Sequence, residues 1–231
     1  MNCTSLQLNK LFNFLLPKIC PGCNSVVNIP KKYICDNCIR KITVAGNERI
    51  KREYKRDFES DNFIASFTAL FVFEKGKELQ EIIHALKYGK KFLIGKELGE
   101  LIADRKAAEI SNWSIDIVVP IPLHRIKTHE RGYNQSLFIS EGLSRVIDID
   151  INNKILERVK YTDSQTKMKR DDRKRNMRNA FKVKMPEEVR GKNILLVDDL
   201  ITTGATANEC AKKLKKAGAN NVYLAAVALA D

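Results

Sequence analysis

An α/β fold, with a parallel sheet wound by helices on both sides and a small cysteine-rich unit ahead of it, is what the sequence predicts, and three observations predict it. Strand-like apolar runs alternate with stretches whose apolar residues recur every three or four positions, the order that parallel crossover units need. Residues 194–206, ILLVDDLITTGAT, set four aliphatic residues before two acids and a turn of small residues, as a buried parallel strand feeding a helix would. Four of the six cysteines fall in two C-x-x-C pairs between residues 20 and 38.

The cysteine unit comes first in the chain. Cys20 and Cys23 form C-P-G-C, and Cys35 and Cys38 form C-D-N-C eleven residues later. Two such knuckles present four thiolates to one tetrahedral ion, across a loop long enough to let them meet. Two disulfides and an iron-sulfur cluster are alternatives that suit the same thiols; zinc is preferred. Four protein thiolates fill the coordination sphere, so the ion is structural and leaves no position for catalysis. Cys3 has no role in this pattern, and Cys210, in a helical stretch, reads as a small core residue.

The remaining elements follow in order. Residues 46–62, GNERIKREYKRDFESDN, are densely charged with little apolar periodicity and read as a linker. The division is therefore placed at 1–57 for ribbon and linker and 58–231 for the larger domain. Residues 63–73 read as a strand, 77–106 as two helices broken near Gly89, and 116–122 as a strand closed by Pro120 and Pro122. Residues 133–146 read as a helix, 154–159 and 193–198 as extended, 204–217 as a helix and 221–228 as the last strand.

Length and composition limit the function classes. With 231 residues and 44% apolar composition the chain can bury a core, so a disordered binding segment is excluded. A net charge of +13 points to polyanionic partners: nucleic acid, phosphorylated metabolites or anionic lipid. No stretch approaches 18 uninterrupted apolar residues, and the N-terminal LQLNKLFNFLLPKIC lacks a small-residue cleavage site, so no membrane span is expected and the cytoplasm is the default location. The charge is concentrated. Residues 31–56 and 158–178 each carry nine Lys or Arg against three acids. Tyr33, Tyr54 and Tyr161 lie within these stretches as candidate stacking surfaces for unpaired bases. Arg170, Arg173, Lys174 and Arg175 form the densest basic run and are the candidate contacts to single-stranded DNA, although a solvated face reads equally well from either stretch alone.

The acids of residues 194–206 lie where open α/β sheets bind ligands. Backbone N–H groups of Thr203, Gly204, Ala205 and Thr206 open the following helix, a geometry that favours an anion. Asp198 and Asp199 can accept from hydroxyls about a sugar's width away. A sugar phosphate with free vicinal hydroxyls satisfies both halves; an ordinary strand-to-helix junction with surface acids is the alternative.

That stretch resembles the 5-phosphoribosyl 1-pyrophosphate (PRPP) signature of type I phosphoribosyltransferases. More narrowly, VVPIPLHRIKTHERGYNQS at 118–136, RVKYTDSQTKMKRDDRKRNMRNAF at 158–181 and the double C-x-x-C resemble the ComF family of late competence proteins, from about Cys20 to the C-terminus. The resemblance implies a type I phosphoribosyltransferase-like sheet with a zinc ribbon. It assigns Asp198 and Asp199 to the ribose hydroxyls, and Thr202, Thr203, Gly204, Ala205 and Thr206 to the 5′-phosphate. The loop after the VVPIP strand, with His124, Arg125, Lys127, His129 and above all Arg131, takes the pyrophosphate position, with Mg2+ accompanying PRPP. Residues 160–178 correspond to the loop that closes over PRPP. The implied role is an accessory of DNA uptake that binds single-stranded DNA, carries a PRPP or nucleotide pocket and has a competence helicase as partner. An active phosphoribosyltransferase of nucleotide salvage or synthesis, or a PRPP-sensing module, is the alternative. Relatives that use 6-oxopurines place an acid where this chain has Thr203, which argues against purine salvage.

Overall fold

A computed structural model describes residues 17–161 and 175–230. The cysteine unit ends in a short helix α1 (Asp36–Lys41), and helix α2 (Asn47–Asp57) leads into strand β1 (Ser66–Phe73). Helices α3 (Glu78–Tyr88) and α4 (Leu93–Ser111) follow, divided at Gly89. Then come β2 (Ile117–Pro120), α5 (Arg125–Arg131), α6 (Gln135–Ile147), β3 (Leu156–Arg158) and β4 (Phe181–Val183). The chain closes with β5 (Asn193–Ile201), α7 (Ala205–Lys216) and β6 (Asn221–Ala230).

Four strands form one parallel sheet in the order β1-β6-β5-β2. Alternation along the strands divides the core between two faces. Ile194, Leu196, Leu224 and Ala226 point toward α2 and α7, while Leu195, Val197, Ala225 and Val227 point toward α3, α4, α6 and the cysteine unit. The fold is doubly wound, as its alternating pattern predicts. Of the stretch expected to be extended at 154–159, Leu156–Arg158 form β3, which leaves the main sheet and pairs antiparallel with β4.

Both outer strands of the sheet are covered. Residues 43–45 run antiparallel beside β1, with Ala45 N donating to Leu70 O and Val72 N donating to Thr43 O, each at 2.8 Å. At the other edge Val118 N donates to Asp150 O (2.9 Å) and Asn152 N to Val118 O (3.0 Å). Helices α4 and α6 pack with their backbones nearly touching. A Cβ on Gly99 would overlap the Ile139 carbonyl, and one on Gly142 the Lys96 carbonyl. Glycine costs about 1 kcal/mol in a helix interior, and here it gives the close approach in return.

The linker expected at 46–62 is corrected by the structure. Most of it is α2, which packs on β1 and buries Ile50, Glu53 and Asp57. Those three lie on one face at helical spacing, but two are acids, so no apolar stripe marks the helix. Each buried carboxylate has cationic partners: Arg49 Nε lies 2.8 Å from Glu53, Arg56 also meets Glu53, and Arg56 lies 2.9 Å from Asp57. The loop expected after β2 is likewise partly helical. His124 caps α5 by accepting from Ile126 N (3.3 Å).

Candidate functional site

The carboxyl ends of β2 and β5 lie side by side, Pro120 in register with Val197, and the chain leaves them in different directions. Asp198 and Asp199 stand in the crevice, in the last half of β5, which runs on to Ile201. The residues opposite come from the start of α6. Asn134 fixes that start by donating to Ile121 O (3.0 Å) and accepting from Ser136 N (3.1 Å). Ser136 Oγ then donates to Asp198 Oδ1 (3.0 Å), and Gln135 Nε2 reaches Asp199 Oδ1 (3.5 Å). Arg131, expected among the pyrophosphate contacts, donates to Gln135 Oε1 (3.0 Å) and stacks over Tyr88, 5.3 Å from its ring centroid. It thus joins the carboxylates through one intermediary.

A cation absent from the sequence expectations completes this group. Lys87, at the end of α3, places Nζ 2.6 Å from Asp199 Oδ2. Two adjacent carboxylates, Asp199 buried and Asp198 half-buried, cannot ionise independently. Burial, and behind it the charge of Asp199, raises Asp198 to about 7. Burial also acts to raise Asp199, but the Lys87 ammonium outweighs it and holds that carboxyl below its ordinary range. Below neutrality the pair therefore carries one negative charge, with Asp199 the ionised member.

Beyond the acids, Thr202 is exposed, Thr203 half-buried and Gly204 buried. Gly204 has φ of +64°, in the left-handed region, and a Cβ there would strike the ring of Phe58. Glycine is required on both counts. It turns the chain so that Ala205, Thr206 and Ala207 open α7, where first-turn N–H groups lack intrahelical acceptors. Thr206 Oγ1 lies 3.6 Å from Met177 Sδ, and Arg158 NH2 donates toward the same sulfur at 3.8 Å. Arg158 is half-buried, and burial lowers its pKa while Asp198 opposes the shift. Among the expected cations of the 124–131 segment, His124 faces Tyr161 at 5.3 Å between ring centroids and Lys127 lies 5.8 Å from the same ring. The crevice can accept donors at its carboxylates and an anion at α7, with Arg131, Arg158 and Lys87 nearby.

The four cysteines of the N-terminal unit converge. Cys20, Cys23, Cys35 and Cys38 place all four sulfurs within 4.8 Å of one another. Tetrahedral zinc with Zn–S bonds of about 2.3 Å needs sulfurs about 3.8 Å apart, and Cys23 and Cys35 stand at 3.6 Å. Hydrogen bonds from Ser25 hold the Cys23 thiol down at about 6, whereas burial raises Cys35 and Cys38. A divalent ion favours the thiolate at all four positions and removes that conflict. The donor set and its spacing fit a metal such as zinc. Cys210 is fully buried in α7.

The basic stretches are less uniform than their composition. Arg49, Lys51 and Arg56 of α2 are held by acids of the same helix. Tyr54, expected as a stacking surface, stacks instead on Phe67 and donates to Ile64 O (2.9 Å), so it belongs to the core. Tyr33 is half-buried and Tyr161 exposed. Arg175 is exposed at the start of a helical turn, while Arg170, Arg173, Lys174 and most of the 160–178 segment lie outside the described residues. No helix among the described residues is long and apolar enough to cross a membrane.

Comparison with known proteins shows what the chain is similar to. Residues 134–230 match the phosphoribosyl transferase domain. The chain is 29% identical over 229 residues to competence protein F of Haemophilus influenzae, covering 92% of this chain and 96% of that protein. It is 32% identical over 149 residues to the DNA utilization protein YhgH of Escherichia coli K12, covering 63% of this chain and 65% of that protein. The matched region of the domain spans the crevice acids, the glycine turn and α7. The chain thus sets paired cysteine knuckles ahead of a phosphoribosyl transferase domain match, and over nearly its whole length it is similar to a relative named for competence.

Proposed function

We propose that this chain is an accessory of DNA uptake that binds single-stranded DNA and holds PRPP or a nucleotide in the crevice between β2 and β5. The observation that carries the pocket is the facing of Asp198 and Asp199 with Ser136, Gln135 and Lys87 beside the α7 turn. Asp198 and Asp199 take the ribose hydroxyls, Thr202 to Thr206 the 5′-phosphate, and Arg131 the pyrophosphate. Mg2+ accompanies PRPP, because three cationic side chains do not neutralise its charge. The relatives' names support the DNA role. Residues 1–57 supply the ribbon and the helix α2 packed on β1, and 58–231 the ligand-binding unit, in the cytoplasm beside a competence helicase.

Thermal melting with and without PRPP and Mg2+ tests the pocket. Binding to the native state alone raises stability by about 2.7 kcal/mol at 100 times Kd. An unchanged melting temperature in the parent, at millimolar PRPP, overturns the pocket. Anisotropy of an oligo-dT probe at several salt concentrations tests the DNA role. Replacing Arg170, Arg173, Lys174 and Arg175 with Ser should flatten the salt dependence by about 0.7 for every phosphate that is no longer neutralised. If that variant loses PRPP affinity and keeps its DNA affinity, the run serves the small ligand and an active transferase is the better reading.

A further inference from the structure

A cleft of about 270 Å³ opens between the cysteine unit and the turn that joins α3 to α4. Lys18, Ile19 and Tyr33 line it from the ribbon, and Lys90, Lys91 and Phe92 from the turn; no acidic side chain lines it. Lys90, Lys91 and Phe92 are exposed. Lys90 and Lys91 have no ion-pair partner among the described residues. Lys18 Nζ lies 5.2 Å from the centroid of the Tyr33 ring. Phe92 is braced from behind by Phe138 and Tyr133, at 4.7 and 6.1 Å between centroids.

We infer that this cleft seats an unstacked nucleobase against Tyr33 and Phe92, with the flanking phosphates on Lys90 and Lys91. The inference rests on the single-stranded DNA reading and gives it a location. Three ammonium groups with no acid in the lining select a polyanion, and two partly exposed aromatic rings in a recess select one that offers flat apolar groups as well. Single-stranded nucleic acid has both. A duplex covers its base faces, and a membrane surface receives protruding apolar side chains rather than recessed ones. Phe92 is held rigid by its two ring neighbours, so ordering it on binding costs little side-chain freedom. The floor is fixed too, because Tyr33 N and Ile34 N both donate to Glu97 of α4, at 2.7 and 3.2 Å. The two sides of the cleft thus form one surface.

The test uses the full-length, metal-loaded protein with a fluorescent 12-nucleotide dT strand and an abasic strand of equal length. Lys90 has φ of +54°, so Lys90→Asn with Lys91→Gln removes both charges while keeping a residue that tolerates that conformation. The salt slope should fall by about 1.4, two phosphates at about 0.7 each. Phe92→Leu keeps the packing on Phe138 but removes the ring, and should weaken dT binding about 5- to 150-fold while leaving the abasic strand unaffected. If the parent binds dT and both variants match it in affinity and slope, the cleft is overturned and the DNA reading stands. If the parent binds no single strand at low salt, the DNA reading fails and the cleft with it. Binding of the parent to anionic vesicles that Phe92→Leu abolishes, with dT binding intact, assigns the cleft to a membrane and overturns the inference.

Discussion

Lys87 Nζ stands 2.6 Å from Asp199 Oδ2, tying the end of α3 to the centre of the sheet, and both groups are largely withdrawn from water. Removing one member of such a pair leaves the other charge buried without compensation, which is far more damaging than replacing both. Lys87→Met should destabilise the fold by roughly 3 kcal/mol, or about 6 to 12 °C in melting temperature. Lys87→Met combined with Asp199→Asn should recover most of that loss. Calorimetry on both variants checks it, and equal losses would show that the two groups do not interact.

Stability should depend on pH through Asp198. Its pKa is raised from 3.8 in the unfolded chain to about 7. Between those values the folded state binds the extra proton, so the slope of stability against pH is negative. The contribution is fully present below about pH 4 and is lost as pH rises to about 7. Asp198→Asn should remove this decline without changing the rest of the profile. Denaturant midpoints at pH 5 and 8, compared between parent and variant, decide it.

Glu97 joins the metal unit to α4. Its carboxylate, raised above its ordinary pKa mainly by burial, accepts from Tyr33 N and Ile34 N, just before Cys35. Glu97→Ala leaves both donors without an acceptor, at about 1 to 3 kcal/mol each. Metal release to a chromogenic chelator should quicken, because the knuckle carrying Cys35 and Cys38 loses its support. Glu97→Gln, which retains one acceptor oxygen, should release metal at an intermediate rate.

One metal ion per chain is expected by elemental analysis, with zinc the ion. The ribbon's Cys20, Val27, Ile34 and Ile39 share a core with Leu70, Leu79 and Leu98. Stripping the ion should therefore lower the melting temperature of the whole chain and not of a separate ribbon transition. Iron absorbance, or a metal content well below one, counts against the zinc assignment.

Gly142→Ala should destabilise, although Ala favours a helix by about 1 kcal/mol over Gly. The added methyl would enter the Lys96 carbonyl, so α4 and α6 must move apart. A net loss of about 1 to 3 kcal/mol is expected from such overpacking. A gain in melting temperature would mean that the two helices separate easily.

Much of the sheet is readable because buried parallel strands are short apolar runs, and the stretches read as strands at 63–73, 116–122 and 193–198 hold β1, β2 and most of β5. The helix at 47–57 was hidden by burial of the wrong kind. Glu53 and Asp57 occupy positions where a helix normally buries aliphatics, and their arginine partners help to make that tolerable. Similar logic hid Lys87 and Phe58. Lys87 sits one turn beyond an ordinary amphipathic pattern, and nothing local marks it as a partner of Asp199, far along the chain. Phe58 meets Gly204 across the fold, a contact that no spacing encodes. The cysteine cluster was legible because four thiols at knuckle spacing state their own geometry. Tyr54 was misread because an aromatic among lysines looks exposed until its face is seen against Phe67.

The strip at residues 43–45 that lies along β1 has a meaning for handling the protein. A sheet edge with free N–H and C=O groups is a template for another chain's strand. Here the Leu70 carbonyl and the Val72 amide are already engaged by Ala45 and Thr43. A fragment that begins after residue 57 would uncover that row in an apolar strand, SFTALFVF, with no charge to repel a neighbour. Its weakness would be intermolecular strand pairing and precipitation, so the N-terminal portion acts as an insulator against self-association whatever its metal does.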